Sequence, residues 1–289
     1  MFVPTDSLVC IEAKTLNCKR DHATLNSPEI TIDCESLQRM SSISGAASLQ
    51  SNPTVTAFTI SDTAANVQNA LTTLLSYTKL TTITLTDFWM PTITLTAAAY
   101  AADAAVLAKI ISAYALVVTG ATVDQAAALQ ISVSSFTISD TAANVQGGLA
   151  DLLADTRLTS ITLTDAAKPT ITLSGAAYAA DRAALAKIVT AYNLIVTGAT
   201  VGQAAALQNA ATSFTISDTA VNVQGWLTAL LADTKLTSIT LTDAGTPTIT
   251  LTGAAYAAGA AVLAKITSAY NLAVTGATVA QAAALQTAA

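Results

Sequence analysis

Short alternating stretches of apolar and polar residues are joined to longer stretches with helical spacing, and the alternation recurs along most of the chain. Thr81 to Thr86 places Ile83 and Leu85 on one side and Thr82, Thr84 and Thr86 on the other, the period of a half-buried strand. Thr92 to Thr96 repeats the pattern after a turn at Asp87-Phe88-Trp89-Met90-Pro91. Pro91 lacks an N–H, so it suits the first position of a strand and not its middle. Phe58-Thr59-Ile60 reads as a strand, followed by a helix capped by Ser61 or Asp62. Along that helix Val67, Leu71, Leu74 and Leu75 share one face. A second helix is expected over about Ala98 to Tyr114, with Leu107, Ile110, Ile111 and Tyr114 at helical spacing. Ala115 to Val118 reads as a buried strand ended by Gly120, and Thr122 to Leu129 as a short third helix.

The whole arrangement then returns. FTISDTAANVQ starts at Phe58 and again at Phe136, and FTISDTAVNVQ starts at Phe214, a spacing of 78 residues both times. The domains expected are a divergent segment over 1–57 and repeats over 58–135, 136–213 and 214–289. Each repeat holds three strand-to-helix segments and one extra strand, with about 26 residues per segment, in the range of solenoid turns. The expected fold is α/β: a repeat solenoid with a parallel β-sheet and helices on one face. Ile43 to Gln50 looks like a worn copy of the Val118–Gln130 stretch, so the array is expected to begin as a partial unit before Phe58.

Residues 1–57 differ in character. They hold 10 of the 30 charged residues, the three cysteines (Cys10, Cys18, Cys34) and the single histidine, His22. Solenoid ends need a polar terminal unit, so a capping segment is the first reading and a functional head the alternative. One local disulfide and three free thiols are equally open, and a metal site would have to be improvised from loop residues.

Composition narrows the function classes. Apolar residues are 52% but aromatics 5% and charged residues 10%, against roughly 25% charged in an average soluble protein. Net charge is −6 with scattered basic residues, so the clustered Lys and Arg of a nucleic-acid surface are missing. Polar residues interrupt every apolar run short of the ~20 residues that a membrane span needs. Residues 1–25 lack a basic then apolar leader, so a cleavable signal is not expected. Export through an uncleaved C-terminal signal stays open.

No catalytic constellation is read. Hydroxyls are plentiful but lack an adjacent base, and Lys109, Lys187 and Lys265, with Tyr114, Tyr192 and Tyr270 five residues on, read as stacking positions. No enzyme activity and no cofactor are expected. Asp62, Asp140 and Asp218 read as helix caps, and Asp87, Asp165 and Asp243 as turn residues. One Asp per turn is sparse for calcium, which would have to sit in stacked rows with backbone carbonyls. The candidate binding or assembly patch is Phe88, Trp89 and Met90, where the other turns have Ala166-Ala167-Lys168 and Ala244-Gly245-Thr246, together with Trp226, which replaces Gly148. Phe88, Trp89 and Met90 either pack on the N-terminal cap or bind a partner. Trp226 reads as end-packing or a ligand platform. The Thr rows form a regular grid that suits an ice or crystal surface, although Thr favours half-exposed strands in any case.

ISDTAANVQ, then SITLTD, then PTITLT, then a helix ending A-K-I and a strand ending VTG resembles the repeats of large bacterial adhesin-like surface and secreted exoproteins, with type I-secreted relatives. The resemblance covers about 58–289. It implies an extracellular or cell-surface location and a structural or adhesive role without enzymatic activity. Residues 1–57 lie outside it, and the glycine–aspartate nonapeptides that bind calcium in many such relatives are missing. Two roles from different classes follow: a stalk or self-assembling fibre subunit that associates head-to-tail, and a module binding a cell-surface glycan or protein through the Thr-rich face or the Phe88–Met90 turn. A cytoplasmic location is the alternative. Gly276 to Ala289 carries no charge and no obvious cap, which suits a docking end or a cut through a longer array.

Overall fold

The structure, a computed structural model, describes residues 40–288. His22, the three cysteines and most of the N-terminal segment lie outside the described residues. Every pair of neighbouring strands is parallel, and a helix lies in nearly every crossover, as parallel pairing requires.

The chain opens with β1 (Met40–Ser41) and α1 (Ile43–Ser51). The first repeat then runs β2 (Phe58–Asp62), α2 (Ala64–Leu75), β3 (Leu80–Leu85), β4 (Thr92–Thr96), α3 (Ala97–Leu107), β5 (Ala115–Ala121), a 3-10 turn (Val123–Gln125) and α4 (Ala126–Ser132). The second holds β6 (Ser135–Asp140), α5 (Ala142–Leu153), β7 (Leu158–Leu163), β8 (Thr170–Ser174), α6 (Gly175–Leu185), β9 (Asn193–Ala199), a 3-10 turn (Val201–Gln203) and α7 (Ala204–Ala210). The third holds β10 (Ser213–Asp218), α8 (Ala220–Leu230), β11 (Leu236–Leu241), β12 (Thr248–Thr252), α9 (Gly253–Leu263), β13 (Asn271–Thr275) and α10 (Val279–Ala288). The strand orders are β1-β2-β3, β4-β5-β6-β7, β8-β9-β10-β11 and β12-β13.

Sheet breaks fall at the same place in each repeat. β3 and β4 are consecutive but unpaired, because each continues into a different stretch of the next segment. β4 pairs with β5, while β3 meets the backbone just after α3: Ile83 N–H donates to Lys109 O at 2.8 Å and accepts Ile111 N–H at its carbonyl at 2.9 Å. Ile161 with Ile188 and Ile239 with Ile266 form the same bridge. The expected helix to Tyr114 is therefore corrected. It stops at Leu107, and Ile110 is a strand-like bridge residue. Its apolar spacing serves a sheet contact that a local period cannot reveal. The third helix is likewise a 3-10 turn followed by a seven-residue helix.

Inward side chains stack strand on strand. Leu95, Val118, Phe136 and Leu158 are directly registered across β4, β5, β6 and β7, and all are buried. At ~4.8 Å between strands this gives one apolar side chain per strand in a continuous ladder. Phe58, Phe136 and Phe214 are the largest fully buried side chains. Helices close the core with one narrow stripe each; in α2 it is Ala64, Val67, Leu71 and Leu74. Burying each of the larger three contributes about 1.5–3 kcal/mol. β5 carries a bulge between Val118 and Ala121. Gly120 sits there at φ 68° with its N–H donated to Thr137 Oγ1 at 3.1 Å, so the predicted strand end is instead a kink within the strand.

No described helix is long and apolar enough to cross a membrane.

Candidate functional site

The acidic rows turn out to join one segment to the next. The helix caps are Thr63, Thr141 and Thr219, whose hydroxyls accept N–H from Asn66, Asn144 and Asn222. Asp62, Asp140 and Asp218 cap a neighbour instead. Their Oδ2 atoms accept the first helical N–H of the preceding segment, from Ile43, Val123 and Val201, each at 2.9 Å. Their Oδ1 atoms take the next backbone N–H and the amide of Asn66, Asn144 or Asn222. Asp87, Asp165 and Asp243 sit in turns as expected but act the same way, accepting Ala64, Ala142 and Ala220 N–H at 2.7, 2.8 and 2.6 Å. Each carboxylate thus meets the positive end of a helix that belongs to the previous segment.

Electrostatics follow from those partners. Burial pushes the carboxyls of Asp62, Asp140 and Asp218 up. The amide and backbone N–H donors outweigh it and hold all three below the ordinary value of 3.8. Among the described residues no cluster of three His, Cys, Asp or Glu side chains is placed to hold a metal ion.

Glutamines add a second set of ties that the sequence reading missed. Gln68, Gln146 and Gln224 accept Thr94, Thr172 and Thr250 N–H at 2.7 Å from the following segment. Gln130 and Gln208 accept Arg157 and Lys235 N–H and donate to Thr156 and Thr234. The signal was their return at the same place in each repeat.

Lys109, Lys187 and Lys265 are staples to backbone carbonyls. Their Nζ atoms donate to Leu80 O, Asp155 O and Leu236 O at 2.8, 2.9 and 2.6 Å. Burial, reinforced by Tyr100, Tyr178 and Tyr256, pushes the hydroxyls of Tyr114, Tyr192 and Tyr270 up. Many Thr hydroxyls are spent within the sheets: Thr81, Thr159 and Thr237 donate to the carbonyls of Phe58, Phe136 and Phe214, and Thr119, Thr197 and Thr275 to those of Leu95, Leu173 and Leu251.

The Phe88–Met90 turn projects. Phe88, Trp89 and Met90 are 90%, 80% and 66% exposed. The two rings meet edge-on at 5.3 Å. The turn is pinned at both ends, by Asp87 on Ala64 N–H and by Pro91 O accepting Ala115 N–H. Their packing on residues 1–39 lies outside the described residues. Trp226 stands on α8 at the position of Gly148 and is 44% exposed. It walls a groove of about 230 Å³ whose lining comes from residues 204–233, so the structure does not bring Trp226 and the Phe88–Met90 turn into one patch. Compared with protein-family models, curated proteins and solved structures, the chain gives no match.

Proposed function

We propose that the chain is a non-enzymatic structural repeat protein: a solenoid of three 78-residue units that serves as an adhesin-like stalk or self-assembling fibre subunit outside the cell. The observation that supports this reading is the carboxylate row. Asp62, Asp140 and Asp218 each close the helix end of the preceding segment with the same bond at the same length. Such a joint is portable, because any Phe-Thr-Ile-Ser-Asp strand brings its own capping group. β5 and β9 each pair on both sides, whereas β13 pairs only with β12 among the described residues, and Val279, the counterpart of Val123 and Val201, is 94% exposed. Each Phe-Thr-Ile-Ser-Asp strand already caps Ile43, Val123 or Val201 of its own chain, so a second copy would join by strand pairing at the free edge of β13, an open head-to-tail assembly. Negative-stain electron microscopy over a concentration series tests it. Fibres with an axial repeat of three stacked units are expected, and short isolated particles at every concentration overturn head-to-tail assembly.

A second reading rests on the exposure of Phe88, Trp89 and Met90: a module that binds a surface glycan or protein through this turn. Trp89→Ala should then abolish binding to a glycan array or cell surface while the melting curve stays unchanged. Unfolding by the same substitution would make the turn a structural element.

A further inference from the structure

We propose that the groove beside Trp226 binds a small organic ammonium ion, one per chain. The groove holds about 230 Å³ and is lined by Ala204, Ala205, Trp226, Ala229, Leu230 and Asp233, with Gln208 and Ala232. That volume suits a single compact group and is below the ~300 Å³ of a drug-sized pocket. Trp226 offers a half-exposed indole, the best aromatic partner for a cation.

Asp233 supplies the charge. It is 6% exposed, and its carboxylate makes no hydrogen bond to any side chain or backbone group among the described residues. The adjacent cation, Lys265, gives its Nζ to carbonyls, Leu236 O at 2.6 Å and Asp233 O at 3.5 Å, and leaves the carboxylate oxygens untaken. Lys265 offsets part of that charge from a distance, and a carboxylate on a largely buried residue that receives no donor favours a cationic occupant.

The rest of the lining favours the cation over a sugar. Sugar hydroxyls need several oriented partners. The one amide in the groove, Gln208, is used at both ends, by Lys235 N–H at 3.1 Å and Thr234 Oγ1 at 2.9 Å. What is left is apolar wall, Trp226 and Asp233. The pairing occurs only in the third repeat. The second has Asp155 but Gly148 in place of the tryptophan, and the first has Ala70 and Tyr77 at the two positions.

The test uses the full chain with Trp89→Phe, so that Trp226 is the sole tryptophan. Choline chloride is titrated against Trp226 emission at pH 8, with sodium chloride at equal ionic strength as the blank and calorimetry for stoichiometry. Saturation at one site per chain is expected in the millimolar range. Dimethylbutanol, the uncharged isostere of choline, should bind at least about tenfold more weakly. Asp233→Asn should weaken choline by a similar factor, and Trp226→Gly, which copies the second repeat, should remove the calorimetric signal. A response no different from the salt blank overturns the proposal. Equal affinity for choline and dimethylbutanol overturns it in favour of an apolar groove, and saturable binding of a methyl glucoside without choline binding overturns it in favour of a sugar site. Should either variant unfold by circular dichroism, the choline-to-dimethylbutanol ratio on Trp89→Phe protein decides alone.

Discussion

Removing one inter-segment carboxylate should cost far more than its local surroundings suggest. In Asp140→Ala three bonds disappear: Val123 N–H at 2.9 Å, Thr141 N–H at 2.8 Å and Asn144 Nδ2 at 2.7 Å. Leaving the Val123 donor unpaired costs about 1–3 kcal/mol. Losing the cap-like bonds at the start of α5 adds about 0.5–2 kcal/mol. The total expected is about 3–4 kcal/mol. Repeat arrays need not unfold in one step, so a urea midpoint should be paired with amide exchange at Val123 read by NMR. Exchange there should accelerate with the midpoint shift, although Val123 lies 17 residues before the substitution. Asp165→Ala is the internal control, since its carboxylate accepts only Ala142 N–H from an exposed turn; it should lose less. Linkage supplies an independent sign. The folded carboxyl of Asp140 titrates below 3.8, so its contribution is complete above that value and is lost as pH falls through the lower folded value. Asp140→Ala protein should accordingly converge on the parent at very acidic pH. A loss below about 1 kcal/mol, or unchanged exchange at Val123, would refute the idea that these carboxylates couple the segments.

Three further substitutions probe features with opposite signs. Asp103 is 4% exposed and its Oδ1 has no hydrogen-bond partner, while the third repeat has Gly259 there; Asp103→Ala should raise stability by about 1–2 kcal/mol, seen as a higher urea midpoint. Burial, with Asp151 adding to it and Lys187 opposing it, pushes the carboxyl of Asp155 up, so its charged form is penalised on folding. Asp155→Asn should stabilise at neutral pH, and that gain should vanish below about pH 3.8, where the carboxyl is protonated in both states; a pH-independent difference would contradict this. Gly120→Ala, at φ 68°, should cost about 1–2 kcal/mol, whereas Gly147→Ala, on a helix with open space around the added methyl, should gain about 0.5–1 kcal/mol. Thermal melts of the two side by side settle both.

What the sequence disclosed was set by how local each interaction is. Alternation placed β3 and β4 because each strand's own residues choose a buried face, as Ile83, Leu85, Ile93 and Leu95 do. The helical stripe of α2 was legible for the same reason. The helix through Ile110 failed because Ile110 answers to Ile83, 27 residues earlier, and spacing within a helix carries no record of that partner. Asp62, Asp140 and Asp218 were misassigned in the same way: an Asp before Thr-Ala-Ala-Asn or Thr-Ala-Val-Asn is a good local cap, but the acceptor serves a helix start 17 to 19 residues back. Trp226 was visible as a departure from the repeat. Its groove was not, because Ala204 and Ala205 belong to the preceding segment.

Repetition itself separates scaffold from specificity in this chain. Positions that carry the inward ladder and the inter-segment carboxylates return in every repeat with matching partners, and the lysines return with a backbone carbonyl as acceptor each time, so a change at any of them disturbs a joint used several times over. Freedom remains only where no neighbour depends on the side chain. The Phe88–Met90 turn is one such place, pinned by Asp87 and Pro91 so that the three residues between can change without loosening either strand. The Ala70, Gly148 and Trp226 position is another, constrained only by what lies over it; at Gly148 an added Cβ would meet Val123 Cγ1 at 2.4 Å. In the third repeat the counterpart of Val123 is Val201, which is buried, and Trp226 walls a groove with Ala204, Ala205 and Gln208 of α7 and with Asp233. The same departure that breaks the repeat sets Trp226 and Asp233 in one recess, where a ligand of defined charge has a physical reason to bind.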